Sequence, residues 1–219
     1  MLYIVSTPIG NLSDISLRAI EVLRNCDVIL AEDSRQSRKL LDFLKIKGKK
    51  IEPYYEQVEE QKLAMVVGML EKNMEVVLLT DAGTPLVSDP GFKLVNMCRK
   101  KDYQLTAIPG PVAAINALVL SGFPMDKFIF LGFLPKKKGK RIKILEEYKT
   151  KGAKVVYESP KRLMELLKNI EEVYGRNSRI CVCREMTKKF EEVKIDLVDE
   201  LLEYYEGKSS KGEITVVFI

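Results

Sequence analysis

The chain of 219 residues contains no histidine. Histidine is the commonest general base and the commonest metal ligand in proteins, so its absence excludes Ser–His and Cys–His catalytic pairs. Any chemistry must therefore use carboxylates, lysine, tyrosine, backbone dipoles or a cofactor. We expect no catalytic metal, because the cysteines also lack the spacing of a metal site.

Cysteines are few, and long apolar runs are missing. The four cysteines are scattered in apolar segments without a C-x-x-C pair, which indicates buried thiols rather than a zinc site or a disulfide framework. No apolar run approaches the roughly 20 residues that a membrane-spanning helix needs. No signal peptide is visible before the first strand, so the sequence predicts a cytoplasmic protein without a membrane partner.

The first half shows a regular alternation of strands and helices, which is typical of a parallel α/β sheet. Apolar runs predict strands at residues 2–5, 27–31, 75–80 and 104–108, and helical patterns predict helices at 34–43, 57–70, 92–101 and 112–120. Ser13 is expected to cap a further helix that carries Leu17 on its apolar face. The basic residues 45–50 are expected to form a turn.

The second half lacks regular long crossover helices, which predicts a mixed sheet. Strands are expected at residues 128–133, 153–157, 179–183, 191–195 and 214–218, and helices at 142–149, 161–174 and 197–205. The break at Ser121-Gly122-Phe123-Pro124 predicts a boundary between an N-terminal domain of residues 1–121 and a C-terminal domain of residues 122–219.

Loops rich in glycine and proline follow three predicted strands of the first half, at residues 6–11, 81–91 and 109–111. Ligands bind outside the carboxyl ends of the strands in open α/β sheets, and glycine lets the backbone approach a ligand closely. Three such loops indicate one sizeable organic ligand; the alternative is three ordinary connections. The absence of G-x-G-x-x-G and G-x-x-x-x-G-K-[ST] disfavours a dinucleotide-binding Rossmann unit and a P-loop NTPase.

Positive charge is concentrated in residues 136–143, where six of eight side chains are basic and none is acidic. Such side chains neutralise RNA phosphates. The alternative is a solvated loop and helix start, but cations at a helix N-terminus oppose the helix dipole. The predicted RNA-binding residues are Lys136, Lys137, Lys138, Lys140 and Arg141. One of the adjacent residues Tyr54 and Tyr55 is a further candidate for stacking on a base.

Eight motifs, in order along nearly the whole chain, carry a resemblance to a known family. They are Ser6-Thr7-Pro8-Ile9-Gly10-Asn11-Leu12, Ala31-Glu32-Asp33-Ser34-Arg35, Thr80-Asp81-Ala82-Gly83-Thr84-Pro85, Ser88-Asp89-Pro90-Gly91, Ile108-Pro109-Gly110-Pro111, Gly132-Phe133-Leu134-Pro135, Tyr157-Glu158-Ser159-Pro160 with Arg162-Leu163, and Arg184-Glu185-Met186-Thr187-Lys188-Lys189-Phe190-Glu191-Glu192. In this order the chain resembles the ribosomal RNA small-subunit methyltransferase I family of the tetrapyrrole methylase superfamily.

The resemblance implies a two-domain α/β homodimer with a tetrapyrrole-methylase-like fold and S-adenosylmethionine (AdoMet) in the cleft between the domains. It implies methyl transfer to the ribose 2′-hydroxyl of a cytidine in small-subunit ribosomal RNA, with the RNA or the ribosomal subunit as partner. The cofactor-binding residues that it implies are Pro8, Gly10, Asp81, Ala82, Gly83, Thr84, Val87, Ser88, Val112, Ala113, Tyr157, Glu158, Met186, Gly212 and Glu213.

Given the resemblance, Asp33 is the expected polar group beside the acceptor hydroxyl, and Arg35 its partner or a phosphate ligand. The alternative is a helix start with Asp33 or Ser34 as the N-cap. The chain departs from the family pattern at Gln36, where the family usually has histidine. Two other functions stay open: methylation of a small tetrapyrrole-like acceptor, and RNA binding without catalysis.

Overall fold

The computed structural model describes residues 1–208 and 211–219, and the chain separates into two compact units, Met1–Val112 and Ala113–Ile219. The sequence predicts the boundary after residue 121, whereas the structure places it before the helix Ala113–Ser121. This helix belongs to the second unit because it packs against three strands of that unit. No helix in the described part of the chain is long and apolar enough to cross a membrane.

The first unit contains the parallel sheet that the sequence predicts. Its strands are β1 (Leu2–Val5), β2 (Val28–Ala31), β3 (Lys50–Pro53), β4 (Val76–Leu79) and β5 (Leu105–Ile108), and its helices are α1 (Leu17–Asn25), α2 (Ser34–Phe43), α3 (Glu56–Glu71) and α4 (Phe92–Lys100). The strand order is β3-β2-β4-β1-β5, and neighbouring strands are parallel. The carboxyl ends of these strands therefore meet at one edge of the sheet.

Strand β4 is buried on both faces, which explains its continuous apolar run. Val77 and Leu79 belong to the core formed with α1 and α2, whereas Val76 and Leu78 belong to the core formed with α3 and α4. The alternation follows from the two-residue period of a strand. The sheet is thus a rigid platform for the loops at its carboxyl edge.

Two local features of the first unit differ from the prediction. Ser16 rather than Ser13 caps α1, because the Oγ of Ser16 accepts a hydrogen bond of 3.1 Å from the N–H of Ala19. Ser13 lies in a preceding 3₁₀ turn. Lys50–Pro53 forms strand β3 where the sequence predicts only the end of a basic turn. This edge strand is half-exposed and polar, so it has no apolar run that would reveal it.

The second unit contains a mixed sheet, as the sequence predicts. Its helices are α5 (Ala113–Ser121), α6 (Lys138–Glu147), α7 (Leu163–Tyr174) and α8 (Val198–Tyr205), and its strands are β6 (Phe128–Phe133), β7 (Ala153–Glu158), β8 (Arg179–Arg184), β9 (Glu192–Leu197) and β10 (Ile214–Phe218). The strand order is β6-β7-β10-β8-β9, in which β6 and β7 are parallel and the other neighbours are antiparallel. Strands β6, β7 and β8 therefore run in the same direction, and their carboxyl ends lie at the sheet edge where β10 begins.

Candidate functional site

Three loops at the carboxyl edge of the first sheet are joined through two hydroxyl groups. The Oγ of Ser6, after β1, lies 2.7 Å from the Oγ1 of Thr84, in the loop after β4. The Oγ1 of Thr84 also lies 3.0 Å from the carbonyl oxygen of Pro111, after β5, and the Oγ of Ser6 lies 3.1 Å from that of Ile108. Two hydroxyl protons can fill two of these three contacts at a time. The contacts hold the loops after β1, β4 and β5 together.

A backbone bridge reinforces this arrangement. The N–H of Thr7 donates to the carbonyl of Gly83 over 2.8 Å, and the N–H of Gly83 donates to the carbonyl of Thr7 over 3.1 Å. Gly83 has a φ of +86°, and a Cβ there would lie 3.5 Å from the side chain of Ile9. Glycine is needed because other residues adopt this φ only with strain.

The loop between β4 and α4 is held in an unusual shape. Leu86 and Ser88 have φ values of +73° and +68°, which cost of order 1 kcal/mol each in residues other than glycine. Gly91 ends the loop with a φ of +125°, and a Cβ there would lie 2.7 Å from Cδ2 of Leu78. The loop is therefore packed tightly on β4.

The predicted cofactor-binding residues of the first unit fall on these joined loops. They are Pro8 and Gly10 after β1, Asp81, Ala82, Gly83, Thr84, Val87 and Ser88 after β4, and Val112 at the end of the unit, whereas Ala113 begins α5 in the second unit. The structure thus brings the first-unit residues to one sheet edge. Their contacts with a cofactor stay a prediction.

Carboxylates gather beside these loops, where β2 and β4 end side by side. The backbone N–H of Asp33 donates to Oδ1 of Asp81 over 3.0 Å. Desolvation, followed by repulsion from Asp81, raises the pKa of Glu32, and desolvation likewise raises the pKa of Asp81. The edge therefore carries several close carboxyl groups that hold protons more tightly than usual.

Asp33 has the geometry of a helix N-cap, which is the alternative to a role beside the acceptor hydroxyl. Its Oδ1 accepts from the N–H of Arg35 over 2.8 Å at the start of α2, and its Oδ2 lies 2.7 Å from a guanidinium nitrogen of Arg35. These bonds lower the pKa of Asp33 to about 2, so the carboxylate is a weak proton acceptor. The side chain of Arg35 is 84% exposed, and its Nη1 forms no hydrogen bond with the described residues.

Asp89 is a candidate that sequence reasoning missed. Desolvation, and next the charge of Glu32, raise the pKa of Asp89 to about 7, against the smaller opposing effect of the Thr80 side chain. A carboxylate with a pKa near neutrality is better matched to accepting a proton than Asp33. The Ser88-Asp89-Pro90-Gly91 motif marks the position in the sequence, but the burial that shifts the pKa is a property of the folded loop.

In the second unit, Tyr157 and Glu158 have internal partners. The hydroxyl of Tyr157 accepts a hydrogen bond of 3.2 Å from the N–H of Ala114, at the start of α5. Glu158 is buried, accepts a bond of 2.8 Å from the N–H of Ser159 and lies 3.1 Å from the guanidinium of Arg162. Burial raises the pKa of Glu158. Both side chains shape the carboxyl end of β7.

Glu185, Gly212 and Glu213 form a second polar cluster at the same edge. The ammonium of Lys188 lies 2.9 Å from Glu185 and 2.8 Å from Glu213, and the N–H of Glu213 donates to Glu185 over 2.9 Å. Gly212 has a φ of +96°, and a Cβ there would overlap the Glu185 carboxylate. The neighbouring Met186 is buried.

The basic run is divided by the fold. Arg141 is fully buried, where it donates to Oδ1 of Asn169 over 2.5 Å and pairs with Glu165 of α7, so it is not an RNA-binding residue as the sequence predicts. Lys138 pairs with Glu172 of α7 over 2.8 Å. Within residues 136–143, four exposed lysines form no ion pair with described residues: Lys136, Lys137, Lys140 and Lys143. The sequence cannot show this division because the acids lie on another helix.

The tyrosine candidates are also distinguished by the structure. Tyr54 is fully buried in the first unit, and its hydroxyl lies 3.4 Å from Glu59, so it is unavailable to a base. Tyr55 is exposed at the start of α3. Among the described residues, no group of three or more cysteine, aspartate or glutamate side chains is arranged to hold a metal ion.

Comparisons with known proteins agree on one family. The family model described as Tetrapyrrole (Corrin/Porphyrin) Methylases matches residues 1–202. A ribosomal RNA small subunit methyltransferase I of Rickettsia prowazekii is 42% identical, with 99% of this chain and 77% of that protein covered. The protein of the same name in Thermotoga maritima is 41% identical, with 99% and 96% covered.

Two solved structures confirm the predicted fold class. The uroporphyrin-III-C-methyltransferase of Thermus thermophilus is similar with a TM-score of 0.65 at 19% identity, with 99% of this chain and 93% of that chain covered. A cobalt precorrin-4 methyltransferase is similar with a TM-score of 0.69 at 16% identity and the same coverage. At these identities the likeness establishes the fold alone.

Proposed function

The chain belongs to the ribosomal RNA small-subunit methyltransferase I family of tetrapyrrole methylases, and from this membership we propose that it methylates small-subunit ribosomal RNA with AdoMet as the methyl donor. It is a methyltransferase. The finer proposal, carried over from the family, is that the acceptor is the 2′-hydroxyl of a cytidine. The proposed substrate is then the RNA or the ribosomal subunit. We propose a cytoplasmic location from this substrate.

The joined loops of the first unit are the observation that supports AdoMet binding. Gly83 has no side chain, so only its backbone lies between the three joined loops. Oδ2 of Asp81 accepts no hydrogen bond from the described residues. These features fit a ligand that carries hydroxyl and ammonium donors. We assign the cofactor loops to residues 8–10 and 81–88 and to Val112. The second-unit residues that stay predictions of the resemblance are Ala113, Tyr157, Glu158, Met186, Gly212 and Glu213.

AdoMet, when bound, supplies a methyl group on a positively charged sulfur. A ribose hydroxyl that would accept this methyl group has to give up its proton, so a proton acceptor is needed beside it. Joined loops contribute by fixing the reacting groups in line. We propose Asp89 as the proton acceptor, because it lies in the same loop as cofactor residues 81–88 and burial raises its pKa to about 7, whereas the carboxylate of Asp33 is occupied by Arg35. Asp33 then fixes Arg35, whose exposed Nη1 is the part of the guanidinium left to hold a phosphate.

Transfer of tritium from labelled AdoMet tests the proposal. The acceptors are naked small-subunit RNA, assembled small subunits that lack the modification, and a tetrapyrrole such as uroporphyrinogen. We expect label in an RNA-containing acceptor and none in the tetrapyrrole. Label in the tetrapyrrole alone would favour the alternative acceptor, and tight RNA binding without transfer would favour a noncatalytic protein.

The proposed enzyme acts as a homodimer, as the resemblance implies. Light scattering at micromolar concentration measures the mass directly. A mass of about 50 kDa is expected, twice the 25.0 kDa of one chain. A mass of one chain over that concentration range would contradict the dimer without affecting the proposed reaction.

A further inference from the structure

Two phenylalanine side chains are exposed at one edge of the second sheet. Phe133 is the last residue of β6 and is 62% exposed, and Phe190 lies between β8 and β9 and is 64% exposed. Strands β6 and β8 run in the same direction, so both residues lie at the carboxyl edge of these strands. Strands β7 and β10 lie between β6 and β8, so the ends of β6 and β8 are roughly 14 Å apart. Each ring is therefore a separate candidate for contact with a ligand at this edge.

Each ring has a defined setting in which one part is held and the rest faces solvent. The ring of Phe133 packs edge-on against Tyr157, with centroids 5.6 Å apart and an interplanar angle of 62°. The ammonium of Lys189 lies 5.5 Å from the centroid of Phe190. Tyr157 is itself fixed by the N–H of Ala114, which restrains the platform beneath Phe133.

Lysines lie beside both rings in the sequence, but Phe190 also has two acidic neighbours. Glu191 accepts a hydrogen bond from the N–H of Thr187, and Glu192 pairs with Arg184. Lys136 and Lys137 follow Phe133 in the chain, and Lys189 precedes Phe190. All three are exposed, and none forms an ion pair within the described part of the chain. The adjacent Lys188 differs, because Glu185 and Glu213 neutralise it. Phe133 is therefore accompanied by two lysines that are available to a polyanion, and Phe190 by one, Lys189.

We propose that Phe133 and Phe190 stack on unpaired bases of the RNA substrate, while Lys136, Lys137 and Lys189 contact the adjacent phosphates. This inference rests on the proposed function. Aromatic platforms with neighbouring cations recognise single-stranded nucleic acid, because splayed bases offer their faces to the rings. Paired bases are already stacked on one another, so the surface discriminates against a duplex. It selects loops and open strands of the RNA.

The test compares Phe133→Leu and Phe190→Leu with Phe128→Leu as a matched control. Phe128 is 39% exposed at the first residue of β6, on the opposite edge of the same sheet. The probes are an unstructured 12-nucleotide RNA and its perfect duplex, with binding measured by fluorescence anisotropy at several salt concentrations. Each of the two edge variants should weaken single-strand binding by about 5- to 150-fold, the range expected for one lost stack. The control should bind like the wild type.

Two further readouts separate stacking from other effects. Stacking releases no counterions, so the slope of log K against log salt should stay unchanged in the leucine variants. Phe133→Trp and Phe190→Trp should retain binding, because tryptophan also stacks. Equal affinity of the leucine variants for the single strand, or an equal loss for strand and duplex, would overturn the inference. A change in oligomeric state without a loss of RNA binding would instead assign the surface to a second copy.

Methyl transfer to ribosomal RNA, measured on the same proteins, keeps the two proposals apart. If the wild type methylates RNA and the leucine variants bind the single strand normally, only the stacking inference fails. If the wild type transfers no methyl group to any RNA, the proposed function fails, whereas the comparison of single strand with duplex still decides the stacking.

Discussion

At the scale of single residues, partial burial of its carboxyl group raises the pKa of Asp89. Its pKa of about 7 means that the folded protein binds a proton there that the unfolded chain has released above pH 4. Stability from this group is therefore fully present below about pH 4 and is lost as the pH rises through 7. The effect is limited because the carboxyl group is only partly buried.

We predict that Asp89→Asn removes this pH dependence. From pH 4.5 to pH 8, the free energy of unfolding of the wild type should fall by about 1–2 kcal/mol more than that of the variant, after a discount for solvent screening. Urea denaturation at both pH values measures it. The control is Asp42→Asn, an exposed aspartate of α2. If the Asp89→Asn and wild-type stabilities run parallel across this range, the raised pKa is wrong.

Arg141 is the opposite case. In the sequence it belongs to a basic run, but in the folded protein it is buried and pairs with Glu165. We predict that Arg141→Met destabilises the protein by about 2–3 kcal/mol, because Asn169 and the carbonyl of Pro135 lose their buried donor. Lys140→Met, one residue earlier and exposed, should change stability by less than about 0.5 kcal/mol. Equal urea midpoints for the two variants would contradict the structural role of Arg141.

At the scale of elements, sequence patterns predict most strands and helices. They do not predict every end residue or the contacts that join the loops at the strand ends. Helix α2 was predictable with its bounds, since the cap at Asp33 and the apolar pair Leu40 and Leu41 mark it. Strand β3 was not predictable, because the edge strand Lys50-Ile51-Glu52-Pro53 contains no run of apolar residues. The joining of three loops was unpredictable in detail, since Ser6, Thr84 and Pro111 are brought together only by strand order.

The hydroxyl contacts between these loops lead to a prediction about the cofactor. Thr84→Val keeps the shape of the side chain but removes its contacts with Ser6 and Pro111, which should cost about 1 kcal/mol of stability. AdoMet affinity should fall about 5- to 10-fold by calorimetry, because the loops lose their alignment. Thr84→Ser retains the hydroxyl and should bind like the wild type. Normal affinity in Thr84→Val would remove these loops from the cofactor site.

Helix α6 and its preceding turn carry the predicted RNA contacts on their exposed lysines alone. Replacing Lys136, Lys137 and Lys140 by glutamine should weaken RNA binding and reduce the steepness of log K against log salt by roughly two. Lys138→Gln serves as the control, because Glu172 already pairs with Lys138. An unchanged slope in a folded triple variant would show that the run is a solvated surface.

At the scale of the whole molecule, we propose that this histidine-free chain is an active methyltransferase acting on a ribose of small-subunit ribosomal RNA. The most direct measurement is mass spectrometry of nucleosides after the purified protein has been incubated with AdoMet and unmodified small subunits. The claim predicts one new 2′-O-methylcytidine per RNA molecule, absent when AdoMet is omitted. A methyl group on a base, or no new methylated nucleoside while AdoMet binds, would contradict it.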